Sequence, residues 1–99
     1  MKKTTIRLLD HEFGCEMVDT SHMPDNAMGR SSLQHGYIHI AMEMPLEIQQ
    51  STFLHELIHM IADINSIDIN EQSIDNFALG ILSFVKHNPE MVKKLQRMS

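Results

Sequence analysis

The sequence has one cysteine, no tryptophan and no long apolar run. The single residue Cys15 excludes an intramolecular disulfide and any metal site built from several thiolates. No apolar segment is long enough to span a bilayer, and the Met-Lys-Lys-Thr-Thr start does not resemble a signal peptide. These absences favour a cytoplasmic protein that does not associate with membranes. A length of 99 residues predicts one domain, 1–99, with a modest core.

Basic residues are missing from the middle of the chain. Between Ser31 and Val85 there is no Lys or Arg, yet this stretch holds four of the seven histidines. The formal net charge of −5 argues against a nucleic-acid partner, because affinity for nucleic acid depends on neutralising phosphates. So many unpaired acids require either solvent at the surface or a bound cation. The acids of this stretch are Glu43, Glu47, Glu56, Asp63, Asp68, Glu71 and Asp75.

The order of local patterns predicts an α+β fold, with strands mainly in 1–44 and helices mainly in 45–99. Residues 4–18 resemble a β-hairpin because polar and apolar residues partly alternate there. Residues 27–33 are a weaker strand candidate. Residues 37–41 alternate well, and we expect them to form the edge strand of a small antiparallel sheet.

Three helices are expected in the second half. Pro45 suits a first helical position, and apolar residues at roughly helical spacing continue to about Ile64. Asn70 is a good N-cap for a second helix from Glu71 to about Lys86. A short basic helix follows, ending near Met98. The second helix is expected to bury the apolar residues Ile74, Phe77, Ala78, Ile81, Leu82 and Val85.

The segment His55-Glu56-Leu57-Ile58-His59 is an H-E-x-x-H motif within the first predicted helix. Residues four apart lie on one helix face, so both imidazoles can bind the same Zn²⁺. Glu56 can reach a metal-bound water and act as general base without being a ligand. Zinc is favoured over manganese or cobalt by ligand type and availability alone. The motif therefore predicts a catalytic zinc site rather than two structural histidines.

A third protein ligand is needed, and two simple sources are unsuitable. The metzincin pattern requires Gly and His at the positions that Ala62 and Asn65 occupy. Asp63 continues the row of ligands along the same helix, where three ligands converge poorly on a tetrahedral ion. The third ligand is therefore expected from another element.

Glu71 is the favoured third ligand, because a short reversal of the chain can bring it beside the two histidines. Asp75 lies one helical turn later and suits a carboxylate that accepts the outer N–H of a ligand histidine. The two roles can be exchanged between these residues. Each also has a simpler interpretation, as an acid favoured by the helix dipole or as a solvated side chain.

The segment Asn70-Glu71-Gln72-Ser73-Ile74-Asp75 resembles the N-E-x-x-x-D motif of gluzincins. Together with H-E-L-I-H and the final Asn-Pro-Glu helix, it also resembles the ImmA/IrrE family, and most closely its short phage and prophage proteins. The resemblance implies a minimal zincin-like metallopeptidase with Glu71 as ligand and Asp75 orienting a ligand histidine. It further implies a protein substrate such as a phage or mobile-element repressor.

The sequence thus predicts a zinc metallopeptidase in which Glu56 activates a metal-bound water against a peptide bond. An edge strand at 37–41 is expected to bind the substrate backbone by strand addition. His35, Tyr37 and His39 are the nearest donors for an oxyanion, although a role outside catalysis is favoured for each. The alternative function is an inactive metal-binding or interaction module of phage origin. A phage DNA-associated accessory protein is disfavoured by charge, and the oligomeric state is left open.

Overall fold

The fold begins with a four-stranded sheet. The computed structural model describes residues 3–98, and the strands are β1 (Lys3–Leu8), β2 (His11–Val18), β3 (Gly29–Ser32) and β4 (Tyr37–Ala41). The strand order is β1-β2-β4-β3. β1 with β2 and β3 with β4 form antiparallel pairs, whereas β2 and β4 pair in parallel. The sheet is therefore mixed rather than wholly antiparallel.

Three helices follow the sheet, which confirms the expected α+β class. They are α1 (Leu46–Ile64), α2 (Glu71–His87) and α3 (Pro89–Arg97). Asn70 caps α2 as predicted, since its side chain accepts a hydrogen bond of 2.8 Å from the backbone N–H of Ser73. The segment before β3 contains two single turns of 3-10 helix, Thr20–His22 and Pro24–Asn26.

The prediction that 37–41 is an edge strand is wrong. β4 lies inside the sheet, between β2 and β3, and β3 is the edge strand on that side. The physical reason is the burial of β4, in which Ile38, Ile40 and Ala41 are fully or almost fully buried. A strand buried this completely has neighbours on both sides, whereas the polar β3 sequence Gly-Arg-Ser-Ser suits an edge.

The core lies between one face of the sheet and α1. Phe13 from β2, Ile38 and Ile40 from β4 and Met60 from α1 form a buried cluster. α1 packs on β3 and β4, and α2 packs on α1 rather than on the sheet. The sheet therefore fixes α1, and α1 in turn positions the start of α2.

The buried face of α2 is narrower than the sequence predicted. Ile74 and Ala78 are buried, but Phe77, Ile81 and Val85 are exposed. Because α2 packs mainly on one neighbouring helix, only a narrow stripe of it can be covered. Much of the apolar surface of α2 thus has no partner within residues 3–98.

No helix within residues 3–98 combines the length and the apolar character needed to cross a membrane.

Candidate metal centre

Two histidines on α1 form one side of the site. His55 and His59 lie one turn apart, and their ring centroids are 4.8 Å apart with the planes at 61°. Both side chains are largely covered, with 19% and 30% of their surfaces exposed. The helical spacing therefore brings the two imidazoles together as the sequence predicted.

Glu71, the first residue of α2, lies opposite the two histidines. One carboxylate oxygen is 2.9 Å from Nε2 of His55, and the other is 2.9 Å from Nε2 of His59. The position of Glu71 follows from the Asn70 cap, which begins α2 directly beside α1. A first-turn carboxylate is also favoured by the helix dipole.

Asp75 contacts the far side of one histidine ring. Its Oδ1 lies 2.7 Å from Nδ1 of His55. Because an ionised carboxylate only accepts hydrogen bonds, Nδ1 of His55 is the donor. This bond fixes the ring orientation and, in a neutral ring, leaves Nε2 as a lone pair directed at Glu71.

The contact between His55 and Glu71 requires a proton or a metal ion between the two atoms. A lone pair on Nε2 and a carboxylate oxygen are both acceptors, and they lie 2.9 Å apart. Two acceptors repel each other at this distance unless a proton or a metal ion lies between them. The stretch that supplies these groups contains no Lys or Arg that could provide the charge.

Three side chains of the site could hold a metal ion. His55, His59 and Glu71 each offer one ligand atom, and the three atoms lie within 4.8 Å of one another. Two imidazoles and one carboxylate are a known ligand set for catalytic zinc, which keeps a fourth position open. Tetrahedral bonds of this type place ligand atoms about 3.3 Å apart, so small side-chain rotations would suffice. The residues present therefore fit a zinc ion.

The Glu56 side chain extends toward the edge strand β3. Its side chain is the one charged group among the buried residues of the described chain, with 8% exposure. Ser31 of β3 donates a hydrogen bond of 2.7 Å to Glu56 Oε1. This hydrogen bond holds the carboxylate at a fixed place beside the histidines.

Ser31 was not among the predicted site residues. In β3 it pairs with the fully buried Ile38, so its side chain faces α1. The alternation of 37–41 predicts that Ile38 is buried. The position of Ser31, however, follows only once the pairing of β3 with β4 is known. Sequence periodicity alone gave no such signal for a four-residue strand.

A cleft of about 480 Å³ lies beside the site, between β3 and the two long helices. His55, Glu56 and Asp75 form part of its wall. The close approach of β3 to α1 depends on Gly29, where an added Cβ would overlap Thr52 and lie 3.4 Å from the Glu56 side chain. The rest of the lining is Met28, Ile48, Ser51, Ala78 and Leu79.

The donors considered for an oxyanion are not brought to the site. Tyr37 and His39 alternate with the buried Ile38 and Ile40, so they face away from α1. Their rings stack with centroids 4.1 Å apart, and His35 stacks on Tyr37 at 6.5 Å. The pKa of His39 is lowered, first by burial and then by the Arg30 guanidinium, while Glu16 acts in the opposite direction.

The geometry thus brings His55, His59, Glu71 and Asp75 together and places Glu56 next to them. Comparison with known proteins adds no family assignment, because no protein-family model, curated protein or solved structure matches this chain.

Proposed function

We propose that this chain is a zinc-dependent metallopeptidase that hydrolyses peptide bonds of a protein in the cytoplasm. The observation that carries the proposal is the convergence of two helical imidazoles and one carboxylate beside a buried glutamate. The proposal is supported by the distances of 2.9 Å from Glu71 to Nε2 of both histidines, because one ion could contact all three side chains. The resemblance to small ImmA/IrrE proteins supports the same activity.

His55, His59 and Glu71 would hold the ion, and Asp75 would keep His55 in the ligating tautomer. When bound, zinc supplies Lewis acidity and lowers the pKa of a coordinated water toward neutrality. The exposed position of Glu71, with 69% of its side chain accessible, leaves the site open toward solvent. An open position is what distinguishes catalytic from structural zinc sites.

Glu56 would act as the general base. Its carboxylate can accept a proton from water and return it to the leaving amine. Ser31 holds one carboxylate oxygen, and burial removes competing water, so the group has a defined orientation. Proton transfer of this kind depends on position first, and the hydrogen bond supplies that position.

The substrate backbone would bind along β3. This strand is the edge of the sheet nearest the site, and Met28 and Gly29 line the cleft next to Glu56. An edge strand offers unpaired backbone groups to an extended peptide. The protein substrate would therefore need an unstructured segment, and a phage or mobile-element repressor is the kind suggested by the resemblance.

The alternative is an inactive metal-binding or interaction module of phage origin. It is favoured by one observation, since Tyr37 and His39 face away from the site and cannot steady an oxyanion. A chain that binds zinc without turnover would need His55, His59 and Glu71 but not Glu56. The two functions therefore differ in whether they require Glu56.

The test is the Glu56→Gln variant, with Glu47→Gln as a control on the exposed first turn of α1. We expect both variants to bind one zinc ion per chain in metal analysis. In a library of unstructured peptides read by mass spectrometry, Glu56→Gln should cleave at least about 100-fold more slowly than the control. Equal cleavage by the two variants contradicts the proposed base, and zinc binding without cleavage by the unaltered chain favours the inactive module.

A further inference from the structure

The exposed apolar residues of the last two helices are regularly spaced. They recur along the sequence in steps of four and three residues, interrupted once by Asn88. This spacing is typical of the seam of paired helices. All six apolar members are 41–67% exposed, and we call them the seam: Phe77, Ile81, Phe84, Met91, Leu95 and Met98.

A glycine beside the seam indicates a close helix partner. Gly80 lies within α2, where glycine weakens a helix relative to alanine. A Cβ added there would meet nothing within 4 Å among the described residues. Packing inside the chain therefore does not require this glycine, whereas close approach of another backbone would.

The exposed area is larger than a monomer of this mass should have. The chain exposes 6939 Å² of surface, against roughly 5,800 Å² expected for a folded protein of 11.4 kDa. The excess of about 1,100 Å² exceeds the roughly 800 Å² that each partner contributes to a standard interface.

The charges indicate which partner covers the seam. The beginning of α2 and the loop before it are acidic, whereas α3 carries Lys93, Lys94 and Arg97. An antiparallel copy of α2 would bring the basic α3 of one chain beside the acidic start of α2 in the other. A second copy of the chain therefore offers both an apolar stripe and complementary charge.

We propose that the seam is the interface of a homodimer in which α2 pairs antiparallel with α2 of a second copy. The pair closes on itself by twofold symmetry, because each chain contributes the same surface. Ile81 lies in the middle of the α2 part of the seam, and Gly80 allows the two backbones to approach. The dimer does not require a bound metal, but the acidic start of α2 that it places beside α3 includes Glu71 and Asp75 of the candidate metal centre.

Sedimentation equilibrium of the full chain tests the dimer. We expect a mass twice 11.4 kDa, with dissociation on dilution. Ile81→Glu should raise the dimer dissociation constant at least about 30-fold, because a charge would be buried at the interface centre. The matched control is Leu9→Glu, a similar change at an exposed apolar residue in the turn between β1 and β2, which lies outside the proposed interface and should behave like the unaltered chain.

Gly80→Ala separates a partner contact from a folding defect. It should raise the melting temperature of the dilute monomer, because alanine favours the helix. It should also weaken the dimer by roughly tenfold, because the new methyl group meets the partner helix. A monomeric unaltered chain, or equal masses for Ile81→Glu and Leu9→Glu, would overturn the proposal.

Salt tests the antiparallel orientation. Sodium chloride should weaken the dimer, because it screens attraction between the basic and acidic ends of opposite chains. In a parallel pair the two basic α3 helices would lie together, and salt would strengthen association. A dissociation constant that falls as salt is added would therefore overturn the antiparallel arrangement.

Discussion

Two pairs of histidines in this chain have the same spacing but different surroundings. His35 and His39 are four residues apart, as are His55 and His59. The first pair lies at and after a turn, and its rings stack on the two sides of Tyr37. The second pair lies on α1 and faces the Glu71 carboxylate. The spacing of four residues therefore suits metal binding only where a helix places both rings on one face and a carboxylate lies opposite them.

The hydrogen bonds of the two pairs show the same contrast. Nδ1 of His55 donates to Asp75, which directs the lone pair of Nε2 into the site. Nδ1 of His39 instead accepts a hydrogen bond of 3.2 Å from Nε of Arg30. A cation beside His39 repels a metal ion, whereas the acids beside His55 attract one. We therefore expect zinc to bind at His55 and His59 and not at His35 and His39.

The largest effect is expected from removing one histidine of the α1 pair. His55→Ala should weaken zinc binding by more than about 100-fold, the upper range for losing an outer partner of a ligand. His39→Ala should leave zinc affinity unchanged, because Arg30 and the opposite face of the sheet separate it from the site. Competition titration against a chromophoric chelator measures both. Equal losses of zinc affinity in the two variants would contradict a zinc site at His55 and His59.

The next effect concerns stability of the whole fold. The proposed metal centre would join α1 to the start of α2, so zinc should stabilise the folded chain. At free zinc 100 times the dissociation constant, the gain is about 2.7 kcal/mol, or roughly 10–20 °C in melting temperature. His39→Ala should keep this shift, and His55→Ala should lose it. Identical melting curves of the unaltered chain with zinc and with a strong chelator would contradict the proposed site.

A smaller effect is expected from the residue that orients His55. Asp75→Asn retains the shape of the side chain but loses the charge that accepts from Nδ1. Zinc affinity should fall by roughly 10- to 100-fold. Asp63→Asn is the matched control, because Asp63 is exposed on α1. If both variants bind zinc as tightly as the unaltered chain, Asp75 has no role in orienting the ligand.

Much of this arrangement could be predicted from sequence because it depends on local rules. Helical periodicity and the Asn70 cap placed His55, His59 and Glu71 on elements that meet. The edge strand could not be predicted, because β2 and β4 pair in parallel across a long connection that has no local signature. Ser31 was missed for the same reason, since its contact with Glu56 depends on the register of β3.

The exposure of apolar side chains on α2 also could not be predicted from local sequence patterns. Phe77, Ile81 and Val85 have helical spacing with Ile74 and Ala78, so periodicity alone predicts that all are buried. How many of them are covered depends on how many neighbours the helix has, which is a property of the whole fold. Here α2 packs mainly on α1, and two of the uncovered residues, Phe77 and Ile81, belong to the proposed dimer seam.

The smallest expected effect is a pH dependence that belongs to His39. Its pKa lies below the ordinary value of 6.5, because burial and Arg30 disfavour the charged ring more than Glu16 favours it. Between these two pKa values the unfolded chain binds more protons than the folded chain, so stability falls as pH drops below about 6.5. Below the lowered pKa both states are protonated, and the contribution becomes constant.

The His39→Gln variant isolates this contribution. Glutamine can still accept a hydrogen bond from Arg30, but it does not titrate. Urea unfolding at saturating zinc, measured from neutral pH to about pH 5, should show a shallower loss of stability for the variant. The metal centre affects both proteins alike, so it cancels in the difference between them. If the free energies of unfolding of the two proteins change with pH in parallel over this range, folding does not lower the pKa of His39.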